Sequence, residues 1–494
     1  MLYNSKAFLA FLAVVLLAYY PLPARGKLWF LLVCSAAFYG FWDPSLLGLL
    51  ALSTAVDFVA GQQIDRAPPE ARRTRKAWLL FSLAVNLGML GFFKYHDFFV
   101  VELCALLGAL GFGVDPENHL LRLVLPAGIS FYTFQTMAYT IDIWRGHLRH
   151  EPDPLKFALY VVFFPQLVAG PVERATHLLP QFSRPFGLSP QMVRQGVFLI
   201  LLGFVKKVVF ADRLALAIAP LYDLDALGRL PTSVEAASAQ LLFTTQIYVD
   251  FSSYSDIAIG LGLLLGYHIR PNFNLPFVVP SIPERWRRWH ISMSQWFRDY
   301  IFIPLGGSRH GALRTQLNIL FLMFLSGLWH GASRNFVVWG LLNGLAMLSH
   351  RWLERPLGAL RGLFGAHPLS RVAYFYACCL FTYATIASIN IFFRTPDWST
   401  ALAFAEQIFA AGPGDYARAL TSLELSKNSV FDDDLQLGFL FTGIIFLAHE
   451  GERYLQLGAK ITAGGWAWWL CCAGLLWLVV AFGISGPQFI YFQF

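Results

Sequence analysis

The chain has 494 residues, of which 56% are hydrophobic and only 14% are charged, with a formal net charge of +7. Soluble domains carry about 25% charged residues, so this composition excludes an ordinary soluble protein. Several uncharged apolar runs approach the roughly 20 residues that cross a bilayer, whereas the short alternating segments of a membrane β-barrel are missing. The sequence therefore predicts an all-α, multi-pass membrane protein. Its basic residues report membrane orientation and not nucleic-acid binding.

The first part of the chain predicts four membrane spans and one basic loop. Residues 7–20 are expected to form a retained first span, and residues 28–42 and 44–61 a helical hairpin. The basic segment 62–77 is predicted to be a cytoplasmic loop by the positive-inside rule, and residues 78–93 then span outward.

Polar and helix-breaking residues interrupt the apolar runs that follow. Residues 98–113 contain a glutamate and are predicted not to complete a crossing, and residues 159–182 are broken by prolines and a glycine. Lys206 and Lys207 lie inside the apolar run 193–221, where their ammonium groups must snorkel or face an aqueous cavity. Such interruptions are tolerated at membrane depth only where the helix packs in protein or lines a cavity.

The run 244–267 carries carboxylates at membrane depth. Gln246, Asp250 and Ser253 share one helical face, and Asp256 lies about 80° away from it. Buried carboxylates are costly, so these side chains line a polar interior, pair with a base or act directly in function. A helix-packing hydrogen-bond network is an equally good interpretation of the pattern.

The stretch 283–333 organises the rest of the sequence. Its apolar residues first recur at steps of three and four: Trp286, Trp289, Met293, Trp296 and Tyr300. This spacing predicts one amphipathic helix over 283–302 that lies along the inner membrane surface, with its tryptophans toward the acyl chains and its arginines toward headgroups or water. A turn at Gly306-Gly307 then separates this helix from an apolar run.

Two histidines bracket that turn. His290 lies about 40° from Trp286, toward the apolar side, and His330 follows the run Leu317–Trp329 in the motif SGLWHG. That run of about 13 residues, or roughly 20 Å, is too short to cross a bilayer of about 30 Å, so His330 is expected inside the membrane. There a neutral imidazole can take a proton from a hydroxyl and return it to a leaving group, while His290 can orient a carbonyl or stabilise an oxyanion. On spacing alone, a packed, hydrogen-bonded histidine remains the commoner alternative.

The remaining apolar runs complete a single predicted integral-membrane domain over residues 1–494. Further spans are expected at 335–352, 371–393, 437–449 and 466–484, and a polar loop is expected at 395–436. The six cysteines lie in apolar runs without zinc spacing, and HExxH motifs are missing, so we predict no metal site and no bound cofactor. The sequence has no GxSxG motif and therefore does not favour a self-contained serine hydrolase.

Six motifs carry a family resemblance: RWRRWHISMSQWFRDYIFIPLGGSR, FLMFLSGLWHGASRNFVVWGLLNG, DFSSYSDIAIGLGLLLGY, LPAGISFYTFQTMAYTIDIWRG, FFPQLVAGPVERA and FIYFQF. They closely resemble the bacterial alginate O-acetyltransferase branch of the membrane-bound O-acyltransferase (MBOAT) family, over nearly the whole chain. The resemblance implies a ring of about 11–13 transmembrane and re-entrant helices around a tunnel that crosses the membrane. Ser253 stands where many relatives have glycine, a mild departure.

By this resemblance His330 takes the place of the catalytic histidine. His290 stands where many family members outside this branch have asparagine, as the second polar residue of the site. Six more residues are candidates for the site or its tunnel: Trp286, Trp289, Trp329, Asp250, Asp256 and Asn318.

The resemblance also implies substrates, a partner and a location. The donor would be acetyl-CoA or another cytosolic acyl thioester, and the final acceptor an extracytoplasmic polysaccharide such as alginate. A periplasmic partner of the SGNH/GDSL-like esterase type would pass the acetyl group to the polysaccharide. The protein itself would lie in the lipid of the bacterial inner membrane. The nearest alternative is D-alanyl transfer to teichoic acid. A transporter or scramblase, suggested by the charges at membrane depth, would require paired broken helices in two related halves.

Overall fold

The computed structural model describes residues 1–126, 128–167, 170–184, 187–364, 367–418, 433–484, 486 and 489. Regular secondary structure in these residues is helical, without strands. Four stretches are long and apolar enough to cross a membrane: Leu46–Arg66, Arg72–Ala109, Gly311–His330 and Pro368–Ile389. The prediction of an all-α membrane protein is confirmed, whereas the ring of helices, its tunnel and the single domain stay predictions.

The chain forms two compact units, of which the first comprises Met1–Ile200 and Ile257–Arg270. Its helices are α1 (Lys6–Tyr19), α2 (Ala24–Gly40), α3 (Leu46–Arg66), α4 (Arg72–Leu90), α5 (His96–Ala109), α6 (Ile129–Trp144), α7 (Pro154–Val162), α8 (Phe164–Leu167) and α9 (Ala175–Phe182). Helix α10 (Pro190–Phe204) begins in this unit. The break predicted within 159–182 is present, since three short helices replace one span.

Helices α3, α4 and α6 pack around a buried polar cluster. The Asp57 carboxylate accepts hydrogen bonds from the Asn86 amide at 2.8 and 3.0 Å and one from the Ser82 hydroxyl. Ser53 donates to the Asn86 carbonyl oxygen at 2.8 Å, and Thr140 lies 3.1 Å from the Ser82 hydroxyl. Since buried polar groups are costly unless paired, this network ties the three helices together.

The second unit comprises Leu201–Asp256 and Pro271–Phe494. A π-helical segment, Val205–Ala211, continues α10. The helices that follow are α11 (Asp212–Tyr222), α12 (Leu224–Leu227), α13 (Ser233–Leu264), α14 (Ile282–Arg288), α15 (Ile291–Phe297), α16 (Gly311–His330), α17 (Arg334–Trp352), α18 (Glu354–Phe364), α19 (Pro368–Ile389), α20 (Ile391–Arg394), α21 (Trp398–Phe409), α22 (Asp433–Leu455), α23 (Leu457–Thr462) and α24 (Trp466–Phe482). This unit contains both histidines of interest.

Several predicted segment boundaries differ from the structure. The predicted loop 62–77 is wrong in extent, because α3 runs to Arg66 and α4 begins at Arg72, so its basic residues lie on helix ends. Residues 98–109 continue α4 through a π-helical turn. The polar loop predicted at 395–436 contains helix α21, and its residues 419–432 lie outside the described part of the chain.

Helix α16 also corrects the length argument for His330. The helix begins at Gly311, six residues before the apolar run, and has 20 residues in all. At 1.5 Å per residue it is about 30 Å long, which is enough to cross a bilayer. A short run therefore does not place His330 inside the membrane, and its depth stays a prediction.

Candidate active site

His330 and Trp339 are brought together by an unusually close crossing of α16 and α17. A Cβ atom added to Gly327 would lie 2.2 Å from the Phe336 carbonyl oxygen, and one added to Gly340 would lie 2.3 Å from the Met323 carbonyl oxygen. Small residues let membrane helices approach to backbone contact in this way. His330 is the last residue of α16, and its ring centroid lies 4.9 Å from that of Trp339 on α17.

Asn390, at the end of α19, fixes Trp339 in this position. Its side-chain oxygen accepts a hydrogen bond from the Trp339 indole N–H at 3.0 Å, and its amide donates to Thr244 on α13 at 3.1 Å. Phe393 on α20 completes the wall, with its ring centroid 5.2 Å from that of His330. The imidazole is thus held among aromatic rings and is 5% exposed.

Helix α14 starts where a local capping motif dictates. Ser281 is its N-cap and accepts a hydrogen bond from the Glu284 backbone N–H, and Pro283 follows in the first turn, where its missing N–H is tolerated. The Glu284 carboxylate then pairs with the Arg288 guanidinium at 2.8 Å. The hydrogen bond from Arg288 holds the pKa of Glu284 below its usual range. These contacts fix the helix that carries Arg285 and Trp286.

The single amphipathic helix predicted over 283–302 is wrong, because the chain breaks at His290. This residue has φ 44° and ψ 53°, a left-handed conformation that ends one helix and begins α15. Such a conformation costs a non-glycine residue about 1–2 kcal/mol. Asn272 offsets that cost, since its carbonyl oxygen accepts from the Ile291 N–H at 2.9 Å and its side chain from the Ser292 hydroxyl at 2.6 Å. Trp289 and Trp296 are accordingly buried in protein and do not face the acyl chains.

Arg285 is buried as well, which corrects the prediction that the arginines of this segment face headgroups or water. It is 5% exposed, and its guanidinium carbon lies 4.3 Å from the ring centroid of Trp289. One of its nitrogens donates to the Pro276 carbonyl oxygen at 3.0 Å. Arg287 has an exposed side chain, as predicted. The sequence does contain a pattern that predicts the burial of Arg285: it stands four residues before Trp289 and so shares the helical face of that tryptophan.

A small cavity lies at the centre of these contacts, in the second unit. Its volume is about 20 Å³, roughly the room that one water molecule needs. It is lined by Ile247, Arg285, Trp286, Trp289, His330, Trp339, Asn343, Ile386, Asn390 and Phe393. Three predicted site residues, His330, Trp286 and Trp289, therefore meet at one point.

His290 and Trp329 lie beside this cavity and are not among its described lining residues. The His290 ring is fully buried, with its centroid 4.7 Å from that of Phe251 and 5.7 Å from that of Trp329. The Trp329 ring in turn lies 4.8 Å from that of His330, so it contacts both histidines. Burial lowers the pKa of His290 to about 3, so its imidazole is neutral near neutral pH.

The other predicted site residues have structural contacts. Asp250 pairs with Lys207 at 2.8 Å and Asp256 with Lys206 at 2.6 Å. Of the alternatives, pairing with a base is the one observed. Asn318 donates to the Gly307 carbonyl oxygen at 3.0 Å, which holds the turn before α16.

Comparison with known proteins decides the family. Residues 142–393 match the family model of MBOAT, the membrane-bound O-acyltransferase family. The probable alginate O-acetylase AlgI of Pseudomonas aeruginosa is 36% identical over 456 residues, covering 92% of this chain and 82% of that protein. The chain belongs to the membrane-bound O-acyltransferase family. A probable alginate O-acetylase AlgI of Azotobacter vinelandii is 40% identical over 357 residues, covering 72% of this chain and 69% of that protein. A peptidoglycan O-acetyltransferase of Helicobacter pylori is 34% identical over 386 residues, covering 71% and 70% respectively.

The cavity falls within the part of this O-acyltransferase that matches the family. Its lining residues lie between Ile247 and Phe393, inside the matched residues 142–393. One imidazole, one guanidinium, two carboxamides and three indoles line this space, and the other described lining residues are apolar. Among the described lining residues there is no serine, threonine or cysteine. The arrangement can exchange protons and bind a carbonyl group, and any hydroxyl that is acylated there must come from a substrate.

Proposed function

We propose that this membrane enzyme transfers an acetyl group from a cytosolic thioester, acetyl-CoA or a related donor, to an acceptor outside the cytoplasm. The observation that carries the proposal is the His330 imidazole bordering an aromatic cavity within the family-matched part of the chain. The acetyl group is favoured because relatives named alginate O-acetylase and peptidoglycan O-acetyltransferase match most of the chain.

In the proposed reaction His330 is the general base and then the general acid. Its imidazole takes the proton of an acceptor hydroxyl while the hydroxyl oxygen attacks the thioester carbonyl carbon. The carbonyl electron pair moves onto oxygen and then returns, the carbon–sulfur bond breaks, and the thiolate takes the proton from the imidazolium. General acid–base catalysis of this kind contributes typically about 10² to 10⁴ in rate. The rings of Trp339 and Phe393 pack against the imidazole, at centroid distances of 4.9 and 5.2 Å.

The final acceptor is proposed to be an exopolysaccharide, alginate or a similar polymer, and the enzyme to lie in the bacterial inner membrane. A periplasmic partner of the SGNH/GDSL-like esterase type would receive the acetyl group on a serine and pass it to the polymer. The missing nucleophile among the described cavity residues supports this division of labour, because the second ester must form elsewhere.

Sealed inside-out vesicles test this proposal. They expose the cytoplasmic face, and acetyl-CoA labelled in the acetyl group is added outside them, with a soluble hydroxyl acceptor or the partner enclosed. We expect labelled ester in the lumen with wild-type protein and with His119→Ala, an exposed control, but background label with His330→Ala. Label that stays outside would contradict transfer across the membrane, and equal label with His330→Ala would contradict the catalytic role.

A further inference from the structure

Arg285 is a buried cation whose charge no carboxylate neutralises among the described residues. Its side chain donates to one backbone carbonyl and lies over the rings of Trp289 and Phe277, with guanidinium-to-centroid distances of 4.3 and 5.6 Å. Lys207, a buried cation of the same unit, is by contrast paired with Asp250 at 2.8 Å. A guanidinium has five N–H donors, and an unneutralised one in a protein interior is costly unless it serves an anion.

Trp286 provides a second, independent donor in the same place. Its indole nitrogen is buried and has no hydrogen-bond partner among the described residues. The ring lies on the face of α14 that packs toward Trp339, with the two ring centroids 6.0 Å apart. By contrast, the Trp339 indole N–H is satisfied by Asn390 at 3.0 Å. A buried N–H without an acceptor is rare in native structures and calls for a ligand or another explanation.

Both donors border the cavity that His330 borders. The cavity volume is about 20 Å³, so a group held within it lies close to all three side chains. The space is too small for a sugar carboxylate with its ring, and its other walls are largely tryptophan, isoleucine and phenylalanine. A two-carbon acyl group, with an apolar methyl and one polar oxygen, fits this combination of walls and donors.

We propose that Arg285 and Trp286 form the oxyanion site of the acyl transfer, which extends the proposed function by assigning its catalytic electrostatics. As the acceptor oxygen attacks, the carbonyl π pair moves onto oxygen, and the guanidinium and indole N–H donate to that oxyanion. When the pair returns, the carbon–sulfur bond breaks and the charge moves to the thiolate, which takes the proton that His330 holds. No further reactant is needed.

This assignment moves the oxyanion role away from His290, for which the sequence first proposed it. His290 is not among the described cavity residues, and the Trp329 ring contacts it at a centroid distance of 5.7 Å on the side of His330. His290 contacts Trp329, whose ring lies against the His330 imidazole. Through this contact and its left-handed backbone, His290 would hold Trp329 in place. It would therefore be a positioning residue.

Kinetics of three matched variants test the proposal. Arg285→Met keeps most of the apolar stem and removes the charge, Trp286→Phe keeps a ring and removes the N–H, and Arg287→Met removes an exposed arginine from the same helix. Loss of one oxyanion donor typically lowers kcat by about 10² to 10³. We expect that loss in kcat for Arg285→Met, at least a tenfold loss for Trp286→Phe, and wild-type values for Arg287→Met, with KM for acetyl-CoA changed less than threefold throughout. A raised KM with unchanged kcat in Arg285→Met would instead indicate ground-state anion binding and overturn the proposal.

A binding measurement separates this proposal from the choice of acetyl donor. Methylphosphonate, a tetrahedral anion with one methyl group, mimics the proposed intermediate and needs no turnover. We expect it to raise the thermal unfolding temperature of wild-type protein and of Arg287→Met, and to leave Arg285→Met unchanged. Equal stabilisation of Arg285→Met, or none of the wild type, would overturn the oxyanion site. If the anion binds as expected but acetyl-CoA gives no product, the donor in the proposed function is wrong and the site stands.

Discussion

Gly327→Ala tests whether backbone contact between α16 and α17 sets the active-site geometry. The added Cβ would lie 2.2 Å from the Phe336 carbonyl oxygen and 3.1 Å from its carbon. Neither is a mobile side-chain atom, so the two helices must move apart by about 1 Å to reach ordinary contact. Overpacking typically costs about 1–3 kcal/mol, and we expect the upper end because backbone must move. The same shift widens the 4.9 Å separation of the His330 and Trp339 rings, so activity should fall by about tenfold or more.

Thermal unfolding in detergent and the acetyl-transfer rate measure the two effects. Gly443→Ala is the matched control, because the same substitution in α22 meets no atom within 4 Å. It should be neutral or stabilising by up to about 1 kcal/mol, since alanine favours helix. If Gly327→Ala unfolds at the wild-type temperature with wild-type activity, the close helix crossing is wrong.

Three further predictions concern residues around the site and the orientation of the chain. His290→Asn should retain more activity than His290→Ala in the transfer assay, because asparagine adopts the left-handed backbone at φ 44° more readily than alanine does. Equal activity of the two variants would refute this explanation. Lys207→Met should destabilise the protein by about 3–5 kcal/mol in thermal or denaturant unfolding, because it leaves the carboxylates of Asp212 and Asp250 buried without their cation. Adding Asp250→Asn should recover part of the lost stability, and no recovery would contradict the ion pair. Ser308 is exposed, and the surrounding segment is rich in arginine, which the positive-inside rule places on the cytoplasmic face. Ser308→Cys should therefore react with an impermeant thiol reagent only when that face is accessible. Ready labelling from outside spheroplasts would contradict this orientation.

Sequence patterns predicted the apolar helices well and the break at His290 not at all. The spacing of Trp286, Trp289 and Met293 fits a continuous helix, and no proline or glycine interrupts it. The break depends on hydrogen bonds that Asn272, eighteen residues earlier, accepts from Ile291 and Ser292, and no local pattern records them. The apolar face was predicted to meet acyl chains, but Trp289 and Trp296 are buried in protein.

Charged residues show the same limit. Lys207 and Asp250 were each recognised as costly at membrane depth, and pairing with a base was one of the alternatives. Which lysine meets which aspartate depends on how the π-helical segment Val205–Ala211 packs against α13, so it could not be read from spacing. Arg285 was missed because arginines next to tryptophans are typical of membrane surfaces. His330 is proposed as catalytic on the strength of its motif, since an imidazole after an apolar run is by itself more often a packing residue.

The acetyl-transfer rate of His330→Ala, measured on purified protein against wild type with acetyl-CoA as donor, tests the central claim most directly. Side-by-side gel filtration and thermal unfolding establish that the variant is folded. Since His330 is proposed as the base for the acceptor hydroxyl, the rate should fall by about 10² to 10⁴ while the fold persists. A folded variant that keeps more than about a tenth of the wild-type rate would make His330 a packing residue and contradict the proposed mechanism.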